Sequence, residues 1–159
     1  MNLKELKFYI LGFLILVFQS TILSKYMIVF NFFPDFLTIY IILFTLRSDL
    51  KKSLYLAGIL GFLQDLMVPT VLFFNFVSKI LIVLITENLK KKFFLSGTLY
   101  KGFLIVLISV FDIVLKTGLI FLKTGIFYLS GYFIIYVVLN VLIFYLIEIN
   151  NKRLEKQEL

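Results

Sequence analysis

The sequence predicts an all-α integral membrane protein, a bundle of six transmembrane helices. Three observations lead there: the composition, the spacing of the apolar runs and the placement of the basic residues. Of 159 residues, 62 % are hydrophobic and 16 % charged, and the mean hydropathy is +1.07. A soluble domain runs at about 45–50 % apolar and about 25 % charged. A chain of this length has room for about six spans of ~20 residues, or for one soluble domain, but not for both. The longest hydrophilic stretch is the tail 150–159, expected to be charged and cytoplasmic.

The apolar runs divide as follows. The first, 8–23, follows Lys4 and Lys7 as the core of a secretory signal would. Gln19-Ser20-Thr21 offers no small-residue cleavage site, so the run is expected to stay in the membrane as a helix. The second, 34–46, opens on Pro34-Asp35, with 27–33 as an interfacial lead-in. Proline suits a first helical turn, and an aspartate there suits the positive end of the helix dipole. Arg47–Lys52 reads as a turn. Runs 53–68 and 70–85 together are too long for one helix across ~30 Å of hydrocarbon, so Pro69 is read as the turn of a tight helical hairpin. Glu87–Lys92 is a polar break, and the last two spans are 99–122 and 126–149. No internal repeat stands out.

Charge orients this bundle. Lys4, Lys7, Arg47, Lys51, Lys52, Lys90, Lys91, Lys92, Lys101, Lys152, Arg153 and Lys156 fall on one set of ends and loops, 12 of the 16 basic residues. The alternate loops carry only Lys25 and Lys123. By the positive-inside rule the basic side is cytoplasmic, which places both termini there and requires an even number of spans. The net charge of +7 therefore reads as membrane orientation and not as a nucleic-acid surface, because the lysines form no stripe.

The chain has no cysteine, histidine or tryptophan. Disulfides, thiolate chemistry, Cys/His zinc sites and histidine acid–base catalysis are thereby excluded. There is no phosphate-binding glycine loop, and no pair of carboxylates has a recognisable spacing. No enzyme activity, cofactor, metal or small-molecule ligand is expected.

The informative residues are those that lipid should exclude: Asp35, Gln64, Asp65, Asn75, Lys79, Asp112, Lys116 and Asn140. An ionisable group at mid-bilayer costs ~2.5–3.5 kcal/mol even on the lenient insertion scale, so each needs a partner or water. Asp112 and Lys116 stand i,i+4 on one helix face; they form an internal ion pair, or one of them turns across to another helix or a partner. Lys79 is too deep to reach the interface and is expected to pair with Asp65 or Asp35. Asp35, Asp65, Asn75, Asp112 and Lys116 all fall in the outer half of the membrane, where they can converge on one polar cavity. Ser53, Ala57, Gly61 and Asp65 follow at i+4 steps, with Gly58 beside them. Such a small-residue stripe serves either packing within the bundle or docking of another protein's helix.

Two stretches carry a family resemblance. Pro34-Asp35 followed by Leu37-Thr38-Ile39-Tyr40, and Ala57-Gly58-Ile59-Leu60-Gly61-Phe62-Leu63-Gln64-Asp65-Leu66, resemble the corresponding motifs of the rod shape-determining protein MreD family. Length, hydropathy, the basic turn between the second and third spans and the charged tail agree with that family along the whole chain. The turn Met67-Val68-Pro69-Thr70-Val71 departs from it, lacking the usual glycine, and Asn75 stands where a small residue is common. The resemblance implies a non-enzymatic inner-membrane scaffold of the cell-wall elongation machinery. Its implied partners are an MreC-like protein, the wall-synthesising enzymes and, indirectly, MreB-like filaments. It also implies a fold similar to the substrate-binding subunits of energy-coupling-factor transporters. A vitamin- or metabolite-binding subunit of that kind is the alternative. The short loops at 24–26, 67–70 and 123–125 would make a poor lid for such a pocket, and the first span offers only Leu11-Gly12-Phe13-Leu14 where those subunits dock through small residues.

Overall fold

A computed structural model describes residues 3–23, 35–67, 73–92, 97–125 and 133–157. All regular structure among them is helical. Helix α1 is Leu3–Val17 and continues as a wider π-helical stretch over Phe18–Leu23. It is followed by α2 (Phe36–Arg47), α3 (Leu50–Met67), α4 (Phe74–Lys92), α5 (Thr98–Thr124) and α6 (Phe133–Gln157). Pro34, Pro69 and the leading residues of the expected last span, 126–132, lie outside the described residues.

Three boundaries differ from the sequence reading, each for a local reason. Only Ser48 and Asp49 separate α2 from α3, because the Asp49 carbonyl accepts both the Ser53 amide and the Ser53 hydroxyl, each at 3.1 Å, and so starts α3 early. The expected polar break 87–92 is the last turns of α4. There the Lys90 ammonium donates to the carbonyls of Thr45 (3.0 Å) and Ser48 (2.8 Å), satisfying acceptors that the end of α2 leaves open. Finally, α6 runs on to Gln157 through most of the expected charged tail. Asn150–Gln157 holds no glycine or proline and is rich in lysine, arginine, leucine and glutamate, all good helix formers.

α4 packs on α2, α3 and α5; α1 lies against α2 and α3, and α6 against α5 and α2. Two apolar cores result. Leu16, Leu37, Ile41, Phe44, Leu56, Ala57, Leu60 and Val83 fill one, among α1, α2, α3 and α4. Ile39, Ile42, Ile82, Leu104, Ile105, Ile108 and Phe144 fill the other, among α2, α4, α5 and α6. Thus α2 and α4 carry apolar residues on two faces, which is why neither shows an amphipathic period in the sequence.

Beside these apolar cores the molecule buries charge and exposes apolar side chains. Lys79 is among the largest fully buried side chains of the described residues, and Asp35 and Asp112 are 3 % and 0 % exposed. The surface, by contrast, carries apolar stripes at helical spacing: Phe103, Leu107, Val110 and Val114 on α5, and Ile134, Val138, Leu142 and Leu146 on α6. Within α5, Leu99–Leu119 has a mean hydropathy of 2.1 and is long and apolar enough to cross a membrane. Among the described residues it alone passes that test; the apolar stretches Leu6–Thr21, Phe36–Arg47 and Phe133–Ile149 are shorter.

Candidate functional site: a charge-balanced cluster inside the bundle

The cluster is built around the start of α2. Asp35 caps that helix, accepting the Thr38 amide on Oδ1 at 3.0 Å. The same oxygen accepts Gln19 Nε2 at 3.3 Å, and the Gln19 carbonyl takes the Leu37 amide at 3.1 Å. Two of the free amides at this helix end are therefore satisfied by side chains. The π-helical turn of α1 is what presents Gln19 to them.

The other carboxylate oxygen, Oδ2, receives both buried lysines. Lys79 of α4 donates to it at 2.5 Å and Lys116 of α5 at 3.1 Å. Lys79 also donates to the Thr38 hydroxyl. Lys116 pairs in addition with Asp112, one turn back on its own helix, at 2.5 Å. Both readings of the Asp112–Lys116 spacing are thus realised at once: Lys116 bridges its own helix to α2.

Asp112 is saturated in the same way. Ser78 donates to its Oδ1 at 2.6 Å and Tyr136 to its Oδ2 at 2.8 Å, while the Tyr136 ring lies 5.8 Å beneath the Lys116 ammonium. Asn140 of α6 closes the assembly, accepting the Asp35 amide at 3.2 Å and donating to Ser109 at 3.1 Å. Two acids meet two bases, so the cluster is neutral, and every helix but α3 contributes. The hydrogen bonds and facing ammonium groups offset the cost of burying the two carboxylates.

Asp65 does not belong to this cluster, and the expectation of one shared polar cavity is corrected here. Its Oδ1 accepts the Asn75 amide (2.8 Å) and the Asn75 side-chain nitrogen (2.9 Å), and its Oδ2 accepts the Phe76 amide (2.9 Å). It caps α4 from the neighbouring helix. Lys79 stands one turn further along α4 and faces α2, so of its two expected partners Asp35 is the real one. Phe73, immediately before α4, takes a left-handed backbone (φ 64°); its ring stacks on Phe62 and meets Phe76 edge-to-face, with centroids 6.3 Å away in each case. That unusual conformation turns the α4 amides toward Asp65.

The small-residue stripe on α3 is spent inside the molecule. Ser53, Ala57, Gly61 and Asp65 are all buried. A Cβ on Gly61 would lie 2.9 Å from the Phe76 Cα and 3.0 Å from the Asn75 carbonyl oxygen. Gly58 faces the Phe76 ring with more room, 3.5 Å. Gly61 is therefore what lets α3 and α4 approach closely, and it offers no face for docking another protein's helix. Gln64 is buried on the same helix, and its carbonyl oxygen has no hydrogen-bond partner among the described residues.

Gln19, Thr38, Ser78, Ser109 and Tyr136 are cluster members that the sequence reading passed over. A signal was available for some of them. Ser109, Asp112 and Lys116 share one face of α5 at i, i+3 and i+7, and Tyr136 and Asn140 are i,i+4 on α6.

No family model, curated protein or solved structure matches this chain.

Proposed function

We propose that this chain is a multi-pass protein of the bacterial cytoplasmic membrane, with both ends in the cytoplasm, acting as a non-enzymatic scaffold of the MreD type. In that role it would help maintain rod shape by binding membrane partners such as an MreC-like protein. The membrane part of the reading is supported by the buried charges and by the exposed apolar stripes on α5 and α6. Lipid is the solvent that accepts such stripes and penalises charge outside a paired interior. Orientation is supported by the basic residues at the α2–α3 turn, the end of α4 and the ends of α1 and α6.

One observation carries the scaffold part. The residues through which the sequence resembles the MreD family hold the architecture together: Asp35 caps α2 and gathers two lysines, Gly61 sets the α3–α4 distance, and Asp65 caps α4. A binding subunit for a vitamin needs convergent polar groups left open for its ligand. Here the polar groups of the central cluster are engaged with one another.

The test is made in the native cell. Depletion of the chain should turn rods into swollen or spherical cells, and the tagged, detergent-solubilised chain should recover an MreC-like protein. Normal shape together with no such partner would overturn the proposal.

A further inference from the structure

A groove of about 630 Å³ runs along the surface between α1, α2 and α6. Its walls are apolar, with Leu11 and Phe18 from α1, Phe36 and Leu43 from α2, and Ile143 and Ile147 from α6. Its polar groups are the Tyr40 hydroxyl, which donates to the Phe8 carbonyl at 2.7 Å, and Arg47 and Ser48 at the close of α2. Arg47 is exposed and has no ion-pair partner among the described residues.

The dimensions are informative. From Phe36 to Arg47 the groove follows a single helix, which at 1.5 Å per residue is about 16 Å. That is about half of the ~30 Å hydrocarbon thickness, the depth of one leaflet. In the proposed orientation Arg47 sits at the cytoplasmic headgroup level, so the groove descends from there to the bilayer midplane. Its occupant should be one acyl chain long and carry negative charge where it meets Arg47.

We infer that this groove is a binding site for an anionic phospholipid of the cytoplasmic leaflet, an acyl chain lying between α1, α2 and α6 and the phosphate meeting Arg47. The inference rests on the membrane reading above. Basic positions between membrane helices on the cytoplasmic side recognise anionic headgroups through the same charge pairing.

The absence of tryptophan supplies the experiment. Ile147→Trp places a single fluorophore in the groove, and Phe103→Trp places one on the outward face of α5. Each variant is reconstituted into vesicles of phosphatidylglycerol and phosphatidylcholine, with one lipid or the other brominated on its acyl chains. At Ile147→Trp brominated phosphatidylglycerol should be preferred by about fivefold, the scale of one basic residue at an anionic surface. The preference should collapse to unity when Arg47→Gln is added, and Phe103→Trp should show none. Equal quenching by both lipids at Ile147→Trp overturns the site while leaving the membrane reading intact. No quenching at either position overturns the membrane reading itself.

Discussion

Asp35 and Asp65 are both buried aspartates that cap the start of a helix, yet they are stabilised by different means. Asp35 meets two ammonium groups, and its charge is part of a balanced set of four. Asp65 meets two backbone amides and the Asn75 amide group, all neutral donors. The contrast teaches that a carboxylate in an apolar bundle can serve two purposes. One ties distant helices together through charge; the other completes a helix end, and its charge only strengthens hydrogen bonds that a neutral acceptor would make more weakly.

The largest expected effect comes from breaking the charge balance. Asp35→Ala leaves Lys79 buried without its carboxylate and uncaps α2, and should cost about 3–5 kcal/mol of stability, measured by unfolding in mixed micelles of increasing SDS fraction. Pairing Asp35→Asn with Lys79→Met restores neutrality and should recover part of the loss. A double variant no better than Asp35→Asn alone would remove the charge argument. Next in size is Asp65→Ala, expected to cost about 1–2 kcal/mol through the lost cap. Adding Lys79→Met to it should be additive, because the two side chains share no partner. A rescue there would reinstate the Asp65–Lys79 pairing that the geometry rejects. Tyr136→Phe is the smallest, about 1 kcal/mol for one hydrogen bond on an Asp112 that keeps its other two donors.

Much of the helical layout was legible because apolar runs and basic gaps are one-dimensional signals. Asp35 as a helix opener could be read directly from Pro34-Asp35 and the apolar run behind it. The pairing of Lys79 could not, since Asp65 and Asp35 differ only in which face of α4 each element packs on, and uniformly apolar helices give no facing. The ends of α4 and α6 were misplaced for a different reason. Charge marks where lipid ends, whereas a helix ends where its backbone finds other partners, and Lys90 carries α4 onward by capping α2. The stripe through Gly61 was visible as a close-approach surface, but the identity of the approaching helix lies in the tertiary contact with Phe76 and Asn75.

The proposed topology has the bundle cross a bilayer with its basic ends in the cytoplasm and its charged cluster inside. The chain has no cysteine, so single cysteines report position without background. Lys52→Cys, Lys92→Cys and Lys123→Cys are each probed in intact cells with a membrane-impermeant maleimide. The account predicts labelling at position 123 alone, and labelling at 52 and 92 only after the membrane is opened. Labelling at 52 or 92 in intact cells, or labelling at 123 only after the membrane is opened, would contradict it.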